Sequence, residues 1–289
     1  MKFACRKKIH IPKEFNIFCF IFLLLSMGII GCSEQYKIER MIWRADRAAD
    51  PIIFNEGQVT DFEFDKAISM YKGILHKTSD SAYALNVKLK MAKLYTLKKS
   101  NSLARQIYDD VLKTHAQRPE VGALVLFNKA QSFEIEDDWP QALKILNEIL
   151  IKYPKTQRGL TIPLYIARYY KKMDDKPAAD LAYNQAREYY QNLINQYPQT
   201  TAAILSENLI INTYLEQNDW QQAVMYLENL DKKYKLGPDT LLVLARVYQY
   251  KLYDQAKAVQ IYQRFLRDYP KHKMENVVKR ELRLLQGSQ

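Results

Sequence analysis

The chain has 289 residues, with 43 Lys and Arg against 32 Asp and Glu, a formal net charge of +11, three cysteines and only eight glycines. That charge is compatible with nucleic acid, anionic lipid or acidic partners, but no basic run with a binding module of its own follows residue 31, which sets nucleic acid aside. Three cysteines, of which Cys5 and Cys19 lie in a basic and apolar leader, exclude a disulfide framework and leave stability to packing.

The first fourteen residues, MKFACRKKIHIPKE, carry five basic residues and one acidic one, and precede the apolar run FNIFCFIFLLLSMGII. A helix of that length falls short of a hydrocarbon core of roughly 30 Å, so the pattern is that of an export signal. Ile29-Ile30-Gly31-Cys32 at its end resembles the bacterial lipoprotein box, which implies cleavage before Cys32 and acylation of that residue with chains such as palmitate. At about 0.8 kcal/mol per buried methylene, several acyl chains hold firmly. An uncleaved signal anchor and a soluble secreted product are the remaining readings. Processing leaves 258 residues with a net charge of +7 and Cys32 as the sole cysteine. Ser33 follows where, in the enterobacterial sorting pattern it resembles, Asp would retain the protein at the inner membrane. The expected location is the periplasmic face of the outer membrane.

From about residue 36 the chain reads as successive amphipathic helices. In QALKILNEILIKY, residues 141–153, Ala142, Ile145, Leu146, Ile149 and Leu150 fall on one side. Similar phrases recur: DWPQALKILNEILIKYP from 138, DWQQAVMYLENLDKKY from 219, YDQAKAVQIYQRFLRDYP from 253, and weaker copies from 62 and 101. A period near 34 to 40 residues predicts a helical solenoid. The register appears in ordered trios: Ala92, Tyr95 and Ala104; Ala130, Phe133 and Ala142; Ala167, Tyr170 and Ala179; then Tyr214 and Ala223; and Ala245, Tyr248 and Ala256. The aromatic and the later Ala are nine apart except in the last set, where they are eight apart. A small residue lets antiparallel helices approach, and the aromatic one turn on fills the wedge between them.

This order resembles the tetratricopeptide repeat family over roughly residues 60 to 270. The resemblance implies an all-α, tetratricopeptide-like α-solenoid of about six helical pairs with a C-terminal capping helix. Expected segments are a signal peptide (1–31), a lipidated tether and first helix (32–60), the repeats (61–271) and a cap and tail (272–289). Helical pairs are expected near 80–116, 119–153, 156–196, 200–234 and 238–269. An N-terminal pair at 36–49 and 62–78 is interrupted by PIIFNEGQVTD, and the cap covers 272–286. Ile211 departs from the pattern at a small-residue position. Asp138 and Asp219 are expected to cap helices whose Trp139 and Trp220 cover the turns. Tyr153-Pro154, Tyr197-Pro198 and Tyr269-Pro270 end second helices. Pro198 comes nineteen residues after Ala179, whereas Pro154 comes twelve after Ala142. The extra seven residues, about two turns, predict an overlong second helix projecting beyond its neighbours.

No HExxH, cysteine pair or glycine-rich phosphate loop occurs, and His76, His115 and His272 lie whole repeats apart, so no metal or other cofactor is expected. Glu134, Glu136, Asp137 and Asp138 fall in an exposed interhelical turn, unlike carboxylates placed across a substrate cleft. The expected function is therefore that of a non-catalytic, lipid-anchored scaffold that binds an envelope protein or peptide on its concave face. Its general form resembles the lipoprotein component of the outer-membrane β-barrel assembly machinery. Pilus-secretin assembly factors and other envelope organisers share the form, and an envelope enzyme is the remaining alternative. By register Asn208, Asn212 and Leu215 form the partner-binding stripe, with Leu215 also available to the repeat interface, while Tyr214 belongs to the core.

Overall fold

The computed structural model describes residues 34–54, 59–78 and 81–287. The expected export signal and Cys32 lie outside the described residues. The fold class is all-α and tetratricopeptide-like, with about six helical pairs and a C-terminal helix, and no strand occurs among the described residues. Two compact units divide inside one helix, the first ending at Ile145 and the second beginning at Leu146.

In the first unit α1 (residues 34–53) and α2 (Asp61–Leu75) form the N-terminal pair, followed by α3 (Ser81–Leu97), α4 (Asn101–His115), α5 (Pro119–Glu134) and the start of α6 (Trp139–Lys152). The expected break at Pro51 does not occur at that residue. α1 continues through Pro51 to residue 53, where Ile52 is buried and the Phe54 amide donates to the Asp50 carbonyl at 2.9 Å. Proline loses one donor near the helix end, and burial of the next side chain holds the turn. Ile38, Ile42, Ala45 and Ala49 face Ile68, Tyr71 and Ile74 in the core beneath α1 and α2. The Tyr71 hydroxyl donates to Asp46 at 2.6 Å, and Lys90 pairs with the same carboxylate. A second cluster joins Ala92, Ala104, Tyr108 and Val125.

The second unit holds the rest of α6, α7 (Gln157–Lys172), α8 (Lys176–Gln196), α9 (Thr201–Glu216), α10 (Trp220–Lys233), α11 (Pro238–Tyr250), α12 (Gln255–Asp268) and α13 (Glu275–Gly287). From α7 onwards each helix packs on the next, and α7 also touches α9, as first helices of successive pairs do. α13 buries Val278 and Leu285, and starts three residues later than the cap expected from 272.

The turns inside pairs share one construction. Lys99, Asp137, Asp174, Asn218 and Tyr253 all sit at positive φ, and the next residue is the N-cap of the second helix or immediately precedes it. In the first four turns that next residue, Ser100, Asp138, Asp175 or Asp219, donates its amide to the carbonyl of the aromatic five residues back: Tyr95, Phe133, Tyr170 or Tyr214. These bonds satisfy carbonyls orphaned at the helix end. Asp138 and Asp219 accept from Gln141 and Gln222 amides at 3.2 Å, as the capping argument requires. In the fifth turn Asp254 reaches back six residues to Tyr248.

That extra residue corrects the last register. Ala256 is exposed, and the buried small residue is Ala258, which like Ala104, Ala142, Ala179 and Ala223 is the fourth residue of its helix. The spacing from Tyr248 is therefore ten. Ala92, Ala130, Ala167 and Ala245 are also buried, and Ile211 takes that place in α9 with 4% exposure. Of the wedge aromatics, Tyr248 is buried, while Tyr95, Phe133, Tyr170 and Tyr214 are half-buried.

Candidate functional site

The seven extra residues mark the most distinctive local feature. α8 has 21 residues, whereas α6, α10 and α12 each have 14. Asp175 caps its start through the Ala178 amide at 3.1 Å. Ala179, Ala182, Tyr183, Ala186, Tyr190 and Leu193 then form one continuous buried face. The extension does not stand clear of its neighbours as a bare projection. Tyr190 is fully buried and donates its hydroxyl to the Leu160 carbonyl at 2.9 Å, and Tyr189 donates to the Pro154 carbonyl at 3.3 Å. Leu193 packs with Leu160 and Ala202. Burial pushes the ionisation of both tyrosines upward, so they stay neutral donors.

Beyond Tyr197 the chain turns through Pro198 and Gln199, whose φ is 63°, before Thr200 caps α9 by accepting from the Ala203 amide at 3.3 Å. Across from this turn α10 ends at Lys233, and Tyr234 to Gly237 lead into α11. Leu236 is buried, its amide donates to Asp231 at 3.3 Å, and its carbonyl accepts from the Tyr269 hydroxyl at 2.6 Å. Arg264 holds the same Asp231 at 2.7 Å and keeps that carboxyl below the usual range. The connection after α10 is thus fixed in place.

Between these parts lies an open groove of about 820 Å³ within the second unit. Ile194, Ile204 and Leu230 supply apolar wall, and Asn195, Gln199 and Asn208 supply amides. Ile204 is 57% exposed on the first turn of α9. Lys233 and Lys235 border the groove, each more than half exposed along the side chain. The one carboxylate among the lining residues, Glu207, is largely covered and lies 3.9 Å from Lys233. Burial raises its pKa, against a smaller lowering effect of Lys233. Such a surface offers apolar contact, hydrogen bonds to backbone and a positive rim.

The stripe expected from the register is only partly gathered here. Asn208 lines the groove and donates back to the Ile204 carbonyl at 3.4 Å. Asn212 is exposed one turn further along the same face but does not line the groove. Leu215 is half-buried against the cluster formed by Ile211, Val224 and Leu227. Tyr214 lies under the Arg187 guanidinium at 4.5 Å and beside Tyr226. Ile194, Asn195, Lys233 and Lys235 were not singled out by sequence reasoning; the overlong helix and the Lys-Leu-Gly-Pro turn were their only signal.

Elsewhere charged groups are spent on the fold. Glu136 receives Arg105 at 2.8 Å, which lowers its pKa, and Glu216 receives Arg168 and the Tyr183 hydroxyl. His76 and His115 lie at helix ends, and His272 stacks edge-on against Phe265 at 5.4 Å. Among the described residues no group of three or more His, Cys, Asp or Glu is placed to hold a metal ion, and no helix is long and apolar enough to cross a membrane.

Three segments, 124–156, 164–200 and 239–272, match the tetratricopeptide repeat model. Those three segments carry tetratricopeptide repeats. The pair α9–α10 falls between the second and third matched segments, and it is the pair with Ile211 at the small position. A comparison with curated proteins found no significant match. Among solved structures, Pseudomonas aeruginosa PilF is 17% identical, with 85% of this chain and 99% of that one covered and a TM-score of 0.36. A tetratricopeptide repeat protein from Parabacteroides merdae is 14% identical, with coverages of 86% and 98% and a TM-score of 0.34. The tetratricopeptide domain of P58(IPK) is 14% identical, with coverages of 88% and 67% and a TM-score of 0.31.

Proposed function

We propose that this protein is a non-catalytic scaffold of the bacterial cell envelope that binds an envelope protein or peptide through the second unit. The observation that carries the reading is the groove between the extended end of α8, the exposed start of α9 and the connection after α10. Its apolar wall and amides suit an extended or helical segment bearing apolar side chains, and its lysine rim favours acidic flanks. Asn208 and Asn212 would contact the partner's backbone, and the open side of Leu215 would border it.

The chain would be tethered by lipid on Cys32, at the periplasmic face of the outer membrane. The family match names the repeat and nothing about barrel assembly. We propose assembly of a pilus secretin or another envelope complex as the process, with outer-membrane protein assembly as the alternative. Intact-mass measurement of membrane-extracted protein tests the tether: loss of residues 1–31 with added lipid, both abolished in C32A, supports it, and an unchanged lipidated mass in C32A refutes it. Pull-down from solubilised envelopes tests the groove. N208A/N212A should keep its helical signal and melting temperature while capturing less of the native partner, and undiminished capture would exclude this stripe.

A further inference from the structure

α1 has a second face that the core does not use. Ile38, Ile42, Ala45 and Ala49 point inward, and on the opposite side Tyr36, Arg40, Trp43 and Arg47 follow one another at spacings of four, three and four, with Arg44 alongside. Tyr36 is 64% and Trp43 60% exposed, and Phe54 continues the stripe at 69%. The Arg47 guanidinium lies 5.6 Å from the Trp43 ring centroid. Three of the four acidic residues of α1 are engaged elsewhere, Glu34 with Lys37, Glu39 with the Tyr83 hydroxyl and Asp46 with Lys90, and the fourth, Asp50, is half-buried and acts electrostatically on Tyr71. Among the described residues Arg40, Arg44 and Arg47 form no ion pair with a carboxylate.

We infer that this face of α1 lies on an anionic lipid surface, as a membrane contact separate from the acyl anchor. Three observations select lipid as the occupant. The helix is described from residue 34, two residues after Cys32, so at most about 7 Å of chain separates that point from an anchored position. Its twenty residues, about 30 Å long, carry the alternation of aromatic and arginine that suits the headgroup region, where indole and phenol rings bury their bodies and guanidinium groups meet phosphates. Arginines without carboxylate partners complement a negative surface. A single attachment point leaves a protein free to swing about it; a flat contact along α1 would fix how the first unit meets the membrane.

The inference rests on the proposed attachment near Cys32, and one experiment separates the two. The full chain is extracted from membranes, its mass is recorded to establish the state of Cys32, and it is reconstituted into phosphatidylethanolamine–phosphatidylglycerol vesicles whose acyl chains carry bromine. Tryptophan fluorescence should be quenched by the brominated lipid, and W43F, which keeps Trp139 and Trp220, should lose that quenching. R40E/R44E/R47E, with unchanged helical signal, should weaken docking by roughly fivefold per arginine, and phosphatidylcholine vesicles should do likewise. Equal quenching in W43F, or equal docking on neutral and anionic vesicles, overturns the inference. Shielding of Trp43 from aqueous acrylamide without quenching by brominated lipid also overturns it, because a protein then covers the face. An unlipidated mass that still includes residues 1–31 refutes the Cys32 reading alone, since the apolar run 15–30 then holds the chain to the vesicle.

Discussion

Gly159 sits in the first turn of α7, and its replacement by alanine should destabilise the protein even though alanine is the better helix former by about 1 kcal/mol. A Cβ at this position would lie 2.2 Å from the Tyr153 carbonyl oxygen and 2.9 Å from that of Pro154. Both contacts are with backbone, which cannot swing aside. Relief requires the start of α7 to move by about 1 Å, a displacement of the kind that overpacking forces. That movement would strain the cap in which Thr156 accepts from the Gly159 amide at 3.0 Å and donates to the Tyr153 carbonyl at 2.8 Å. Pro163 already deprives this turn of one helical donor. An overpacking cost of about 1–3 kcal/mol with a cap loss of about 1 kcal/mol, less the gain of about 1 kcal/mol in helix propensity, gives a net loss of about 1–3 kcal/mol. At about 2–4 °C per kcal/mol for 150–250 residues, the melting temperature should fall by roughly 2–12 °C. Thermal unfolding followed by circular dichroism measures this, with hydrogen exchange over residues 153–160 locating it. Gly73 in α2 is the control: a Cβ there meets nothing within 4 Å, so G73A should stabilise by about 0.5–1 kcal/mol. A G159A protein that melts at or above the wild-type temperature would refute the close approach.

Ala142 is fully buried as the fourth residue of α6, so A142F should cost about 1–3 kcal/mol in denaturant unfolding, and an unchanged midpoint would count against the register. The Ser206 hydroxyl is buried without a hydrogen-bond partner, and S206A should leave stability unchanged or raise it by about 1 kcal/mol in the same assay. Glu207 has a raised folded-state pKa, so the folded protein holds its proton more tightly than the unfolded chain and the associated stability is lost as pH rises above the usual carboxylate range. Melting of E207Q across that range should show an advantage over wild type at neutral pH that disappears in acid; a constant difference would contradict the burial.

The helix pairs were legible because each level of the pattern agreed: small residue, aromatic, Asp at the cap and Tyr-Pro at the end. The exceptions have local causes. The spacing points to Ala256 rather than Ala258 because one more residue separates Tyr248 from the cap of α12 than separates the other wedge aromatics from theirs, and apolar spacing does not report turn length. Pro51 read as a helix end, yet burial of Ile52 carries α1 past it. The added length of α8 was visible in the distance from Ala179 to Pro198; that Tyr189, Tyr190 and Leu193 anchor it was not, because their partners at Pro154, Leu160 and Ala202 lie in other helices and turns. The groove was least visible of all. Asn208 came from the register, but Ile194, Leu230 and Lys233 meet it only through tertiary packing.

The central claim, that the groove of the second unit receives a segment of an envelope partner, is tested most directly by photocrosslinking in intact cells. A photoreactive residue at Ile204 or Asn208, with one at the exposed Lys176 as the reference, is followed by mass spectrometric mapping of the crosslinked peptide. The account predicts that positions 204 and 208 join one and the same segment of a single envelope protein, that position 176 does not, and that K233E weakens the product. Crosslinks from 204 and 208 no more frequent or specific than those from 176 would contradict it.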